Sequence, residues 1–350
     1  KIIDKKTINI KSVLIFSLVT SYLVSIRIAG ILIFLQYFFL LVLYLSIYKQ
    51  NIIQFLKNFY FKITTFIIGI VILTFLLNPI FFIEPSLIIT TIKINANHFN
   101  NVGTTTFGKI MYSKDLPSTY IPIWMAVKIP IIIFLGILLL PFTEKRIFEN
   151  KKNATFFGTL LLTIISIPLI LILNQVHLYD EIRQIMFLIP IIFIIGLVSL
   201  FTFSRALFYT LGIISIIFFT IENIKINPYQ YVWFNLPSRY IDLTNKFELE
   251  YQGISGKEIA KQISKKGDQN ICILANPIHV IKPFLHNTNF DCFDVWQKVD
   301  TNFERPFLAV QNVRNLKKSL PYKCKVIDET GFKLIFHKKK FVTGKLLKCE

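Results

Sequence analysis

Cysteine and acidic residues are both scarce in this chain, and each shortage closes off a class of function. The four cysteines, Cys272, Cys292, Cys324 and Cys349, all fall after residue 271. None has the close paired spacing of a zinc site. An external compartment would permit disulfides, buried free thiols are the alternative, and spacing alone does not decide the pairing. Asp and Glu number 20 against 39 Lys and Arg, a formal charge of +19. A balance this basic points to nucleic acid or to an anionic membrane surface. No nucleic-acid-binding motif accompanies it, so nucleic acid is not expected as a partner and membrane lipids are. A signal-peptide cleavage pattern is also lacking, and the numbering starts at Lys1 rather than at a methionine. The chain is therefore expected to be the later part of a longer protein whose N-terminal part is missing here.

What is present in quantity is apolar sequence. Seven stretches dominated by Ile, Leu, Phe and Val lie near 12–26, 28–48, 64–83, 120–140, 154–173, 184–201 and 206–221. A helix needs about 20 residues to cross roughly 30 Å of hydrocarbon, and most of these stretches suffice. The expected fold class is an α-helical polytopic membrane bundle of about seven spans, followed by a small α/β extracytoplasmic domain. The corresponding division is 1–222 for the spans, 223–254 for an interfacial connector and 255–350 for the soluble domain.

Charge orients the spans. Lys1, Lys5, Lys6 and Lys11 precede the first; Lys49, Lys57 and Lys62 fill the second gap; Lys145, Arg146, Lys151 and Lys152 fill the fourth; Arg205 sits in the sixth. Basic loops stay on the cytoplasmic side, which places the other gaps and the tail outside an inner membrane. In the tail, Ser255 and Glu258 form a capping-box pattern for a helix over 255–266, and short apolar runs at 271–275, 290–295, 307–311, 324–328 and 332–337 read as strands. The tail has no glycine-rich phosphate loop, serine hydrolase elbow or metal-binding helix, so it reads as an accessory or acceptor-facing domain.

Chemistry is better placed where ionisable groups meet the outer ends of the spans. Arg27 lies between two spans with almost no loop, where a guanidinium can grip phosphate bidentately or anchor a turn; Gly30 beside it reads as a close-packing site. Lys128 follows Tyr120 and Trp124, which suit an interface belt, and lies between Pro122 and Pro130, residues that favour a broken helix. Its ammonium either lines a cavity for an anionic headgroup or snorkels to the surface. His177-Leu178-Tyr179-Asp180-Glu181-Ile182-Arg183 is the densest polar group of the membrane half, suited to a sugar with Arg183 facing a phosphate, or to a plain polar turn with an acid-to-Arg183 pair. Asn227 to Asn235 carries aromatics for an interface belt or for stacking on sugar faces.

Ser25 to Gly30, Trp124 to Pro130, Leu178 to Arg183, Asn227 to Asn235 and Tyr251 to Ser255 occur in an order that resembles bacterial integral-membrane glycosyltransferases of the GT-C class, in the branch related to dolichyl-phosphate-mannose protein mannosyltransferases. The resemblance covers most of residues 10–265 and implies transfer of a hexose or pentose from a polyprenyl-phosphate donor to a glycan, lipid or protein acceptor at the outer membrane face. It makes Arg27, Lys128 and Arg183 contacts to the donor phosphate, and Tyr179 and Asp180 contacts to the sugar. In that class an aspartate of the first external loop acts as base or positions the acceptor, and no matching loop occurs here, so no catalytic base is assigned and this stretch alone is expected to be inactive. A divalent metal is compatible with the reaction, but no ligand cluster in the sequence requires one. The alternatives are a lipid or polysaccharide transporter, which inverted repeats would favour and for which the spans show no clear repeat, and a membrane-anchored external binding protein with its ligand pocket in the tail.

Overall fold

The computed structural model describes residues 9–26, 28–97, 102–249, 253–266, 273–276, 280–285, 292–294, 307–312 and 323–349. Helices dominate, with a small sheet in the tail. Among the described residues, Ala29–Ile47, Ile52–Leu77, Lys151–Leu173, Arg183–Phe203 and Arg205–Ile226 are long and apolar enough to cross a bilayer. A sixth candidate is the pair Tyr120–Lys128 and Ile131–Leu138, which meet at 112°. Pro130 causes the break: it has no N–H to donate and its ring obstructs the preceding turn. By length and composition the chain fits a membrane protein with five or six such helices. Ile10–Ile26 is apolar but only 17 residues long, so seven spans result only if this helix and the bent pair are both counted.

Two boundaries differ from the charge-based reading. Lys57 and Lys62, expected in a loop, lie inside Ile52–Leu77, which begins at Asn51, where the side chain accepts the Ile53 N–H at 2.8 Å. Flanking apolar residues carry the helical period through both lysines, whose long stems let the ammonium reach polar surroundings. The long gap at 84–119 holds structure of its own: a helix, Leu87–Asn97, and a hairpin of strands Gly103–Thr106 and Lys109–Tyr112.

The chain forms two compact units. The first comprises Lys1–Val102, Tyr112–Pro122 and Ile132–Thr210. Within it, Ser17, Ser21 and Ser25 recur every fourth residue on Ile10–Ile26 and face Ile52–Leu77. Ser17 and Ser21 hydroxyls donate across to the Phe66 and Ile70 carbonyls at 3.3 and 3.1 Å, and Asn78 Nδ2 donates to Ser25 Oγ at 2.8 Å. Small polar side chains suit an apolar medium, where helix contacts depend on close backbone approach and hydrogen bonds. Gly30 answers its expected role, since a Cβ there would come within 2.3 Å of the Leu23 carbonyl oxygen. The tightest contact joins Ile131–Leu138 to Ile189–Phe203: a Cβ on Gly136 would lie 1.9 Å from the Gly196 carbonyl oxygen.

The second unit comprises Gly103–Met111, Ile123–Ile131 and Leu211–Glu350. Its sheet runs in the spatial order Cys292–Asp294, Ile273–Asn276, Phe307–Asn312, Phe341–Cys349, Cys324–Phe332. The first three strands are parallel and the last two pairings antiparallel. Helix Ser255–Lys266 lays Ile259, Ala260 and Ile263 against Leu308, Val310 and Leu346 to make the tail's core. Ser255 is the first helical residue rather than the expected cap, because the chain already turns at Gly253, whose φ is +73°. The expected strand at 332–337 is replaced by a turn, and the last strand is Phe341–Cys349. Register bulges fall between Val326 and Asp328 and between Thr330 and Gly331. Cys324 and Cys349, directly opposite on neighbouring strands, form a disulfide.

Gly136 and Gly212 make a matched pair for testing the packing. Gly136→Ala is expected to destabilise by about 1 to 3 kcal/mol through overpacking. Gly212→Ala, with nothing within 4 Å of the new methyl, should instead gain roughly 0.5 to 1 kcal/mol from backbone entropy and helix propensity. Thermal unfolding of the two variants in detergent should move in opposite directions; a Gly136→Ala midpoint at or above the parent's would remove the close contact.

Candidate functional site

The polar cluster at the end of Lys151–Leu173 is where the first unit concentrates its constraint. After the helix the chain turns through Gln175, at φ +47°, and reaches Asp180 and Glu181, at φ +54° and +64°. Asparagine and aspartate visit this left-handed region at modest cost, whereas glutamate has no such help, and two residues in succession are uncommon. Each position stores on the order of 1 to 3 kcal/mol of backbone strain. Both acids are also buried, Asp180 at 6% and Glu181 at 4% exposure. Strain and buried charge in one turn are what a fold tolerates when the surrounding contacts over-determine it.

The turn delivers Arg183. Its guanidinium donates to Asp180 Oδ2 at 3.2 Å, and its backbone N–H to the Asp180 carbonyl at 3.3 Å. The Arg183 side chain is 46% exposed, so Asp180 fixes one edge of the guanidinium while the group reaches the surface. From Arg183 the chain enters a 3-10 segment, Arg183–Leu188, and then the helix Ile189–Phe203 with Pro190 in its first turn. Tyr179 is half-buried beside the acids, and the buried His177 Nδ1 has no hydrogen-bond partner among the described residues. Next to this turn lies a cavity of about 260 Å³ lined by Lys114, Asp115, Tyr120, Gln175 and Leu178 among others. Lys114 and Asp115 sit 3.9 Å apart at its exposed rim. Nothing local in the sequence marks Lys114, Asp115 or Gln175, because each is an ordinary polar residue until the fold brings the two gaps together.

The remaining candidates fall elsewhere. Arg27 lies outside the described residues, as do Tyr251 and Gln252. Lys128 belongs to the second unit, where its ammonium stands 4.3 Å from the Phe234 ring centroid and 5.6 Å from that of Trp124, and donates to the Tyr231 carbonyl at 3.3 Å. Asp180 and Arg183 are joined directly. Tyr120 and Trp124, expected in an interface belt, are buried at 1% and 0% exposure. Trp124 donates to Thr106 Oγ1 at 3.0 Å and meets Phe247 edge to face, so the hairpin at 103–112 and the segment at 247 give it a core environment.

The aromatic run at 227–235 is likewise interior. Tyr229 is 1% exposed; its hydroxyl donates to Glu258 Oε2 at 2.7 Å and accepts from Thr343 at 3.1 Å. Burial, reinforced by the Glu258 carboxylate, holds the phenol proton well above its ordinary range, so Tyr229 stays a donor. Glu258, expected to complete a capping box, serves this tyrosine. Asn235 closes the end of the broken helix: its amide donates to the carbonyls of Ala126 and Ile129 at 2.6 and 2.8 Å, and its backbone N–H to Val127 at 2.9 Å. Those carbonyls would otherwise have no partner, because Pro130 ends the ladder.

A second buried constellation escaped the sequence reading. Glu222 and Arg239 form an ion pair with both side chains at 0% exposure. All five N–H donors of Arg239 are used: two on the Glu222 carboxylate, two on the Phe234 carbonyl and one on the Ile335 carbonyl. Glu222 in turn accepts from Trp233 Nε1 at 2.6 Å and from the Ile335 N–H at 3.1 Å. The signal was available, since Glu222 is an acid near the end of an apolar run, but its partner lies 17 residues on, where no local pattern marks it. Every polar atom is satisfied, which assigns this pair to architecture.

Removing one partner of such a pair strands a buried charge at a cost of about 3 to 5 kcal/mol. Glu222→Gln is expected to lower the unfolding midpoint of the detergent-solubilised chain accordingly. Glu222→Leu combined with Arg239→Met should recover part of that loss, and only part, because Trp233, Ile335 and two carbonyls lose their partners. A Glu222→Gln midpoint equal to the parent's would show that the pair holds nothing together.

Comparison with protein-family models, characterised proteins and solved structures finds no match for this chain.

Proposed function

We propose that this protein is a membrane glycosyltransferase that moves a sugar from a polyprenyl-phosphate donor to an acceptor at the outer face, with the turn at 176–183 holding the donor phosphate. The observation that carries the reading is the left-handed turn of buried Asp180 and Glu181, in which Asp180 bonds the half-exposed Arg183 guanidinium. The planar guanidinium suits a phosphate, which it can engage through parallel N–H bonds. During displacement at the anomeric carbon the lipid phosphate leaves as an anion, and a cation held in advance stabilises that charge without reorganising. The cavity of about 260 Å³ that Val176 and Leu178 line, just before Tyr179 and Asp180 in the chain, is of a size to admit one sugar. The carboxylate that would activate the acceptor hydroxyl is not assigned to any residue of this chain.

Contacts within the first unit support an arrangement with the basic gaps on one side. Arg146 donates to the Thr202 carbonyl at 3.3 Å, so the fourth and sixth gaps share an end. Lys151 stands 5.9 Å from the Tyr48 ring, which adds the second gap to that end. Residues 113–121 and 171–178 share the other end through their common cavity. The tail's Cys324–Cys349 disulfide favours an oxidising, external location for the second unit's sheet.

Two measurements test the proposal. In nanodiscs, Arg183→Ala should weaken binding of polyprenyl phosphate by about 10-fold to 150-fold, the equivalent of losing about 1.5 to 3 kcal/mol of charge-assisted contact. Arg183→Lys, which keeps charge but not the planar fork, should fall between; unchanged binding in correctly inserted Arg183→Ala protein would sink the donor-site assignment. In intact cells, with Cys272 and Cys292 replaced by serine, an impermeant maleimide should label Lys261→Cys and not Asn150→Cys. The reverse pattern would invert the orientation.

A further inference from the structure

Residues 333–340 join the two longest strands of the sheet, and this connection is built in a way that turn chemistry alone does not require. Both backbone groups of Ile335 are fixed: its N–H donates to Glu222 and its carbonyl accepts from Arg239. The next residue, Phe336, adopts φ +62° and carries its ring parallel to that of Phe218, with centroids 6.3 Å apart and planes inclined by 7°. Despite that stack Phe336 is 70% exposed. A left-handed, surface-exposed phenylalanine locked against a long apolar helix is poorly placed for water.

The surroundings are basic. Lys225, at the end of Arg205–Ile226, and Lys333, Phe336, His337 and Lys338 line a groove of about 540 Å³. Lys339 and Lys340 continue the run; Lys340 donates to the Glu329 carbonyl at 3.4 Å, and Lys339 lies near the exposed Asp242 carboxylate. The Glu222 carboxylate beneath the turn is already neutralised by Arg239. Phe218 precedes Lys225 by seven residues, roughly 10 Å along a helix at about 1.5 Å per residue. The turn therefore presents cations level with the end of the helix and an aromatic ring level with its apolar flank. This is the vertical order of a lipid: anionic headgroup above, acyl chain below.

We propose that this groove binds the headgroup of an anionic phospholipid, with Phe336 against its acyl chains. The inference rests on Arg205–Ile226 crossing the bilayer and is independent of glycosyl transfer. The lysines supply selectivity for an anionic over a zwitterionic lipid, and the Glu222–Arg239 pair holds the turn at the depth where both contacts form.

The test uses the whole chain in vesicles, with Cys272 and Cys292 replaced by serine and a fluorophore placed at Phe336→Cys. A second label at Lys339→Cys, with Phe336 left in place, guards against an effect of removing the ring. Nitroxide-bearing phosphatidylglycerol should quench either label at lower mole fraction than nitroxide-bearing phosphatidylcholine, by about 5-fold for each lysine engaged. Replacing Lys225, Lys333 and Lys338 with glutamine should erase that preference while quenching by both lipids persists. Equal quenching by the two lipids in the parent chain would overturn the anionic site. Quenching by aqueous iodide and by neither lipid would overturn the insertion of the turn.

Discussion

The second unit depends on a carboxylate and a guanidinium that have no contact with water. Glu222 comes from the last turns of a long apolar helix, Arg239 from the segment that follows it, and both clasp Ile335 from the far end of the sheet. Isolated, either charge would be prohibitively costly to bury; paired and with every donor and acceptor occupied, the two impose one geometry. The ion pair's contribution is therefore specificity more than net stability: it selects which part of the tail lies against the helix. Phe218 and Trp233 shield it on two sides, their rings 5.5 and 5.7 Å from the guanidinium.

The same economy of polar groups governs the broken helix at Pro130. An interrupted helix leaves carbonyls without partners, which is tolerable at membrane depth only where protein supplies donors. Asn235 supplies three, and Lys128 settles over the Phe234 ring that the same segment brings in. Pro130, Asn235 and the aromatics at 229–234 thus act as one device, although more than a hundred residues separate the proline from the asparagine.

How much of this was legible in the sequence depends on the range of the forces involved. Apolar runs announce helices because the signal is local and repeated, and the long helices lie where composition placed them. Lys57 and Lys62 mark a loop by charge, yet the helical period of the apolar residues around them runs on through both. Phe341–Cys349 was hidden for a related reason: Gly344, Lys345 and Lys348 interrupt its apolar residues, and the preceding Lys338 to Lys340 suggest a solvated end. The cluster around Asp180 stood out by density, but its left-handed backbone could not be read from residue types that give no glycine. Trp124 and Tyr229 looked like interface residues because an aromatic with a polar tip suits either a belt or a core. Only the partners, Thr106 and Glu258, decide between them, and partners distant in sequence leave no local trace.

The two bulges between Cys324–Phe332 and its neighbour have a consequence for crowding. That strand is one margin of the sheet, and the strand at the other margin, Cys292–Asp294, is three residues long. A sheet with a straight, bare margin invites another chain to add a rung, and confinement to a membrane plane raises the encounter rate between copies. Among the described residues one margin is too short to template a partner, and the other is kinked twice and carries Lys325 with Lys323 and Lys333 at its ends. Such margins discourage edge-to-edge aggregation between copies.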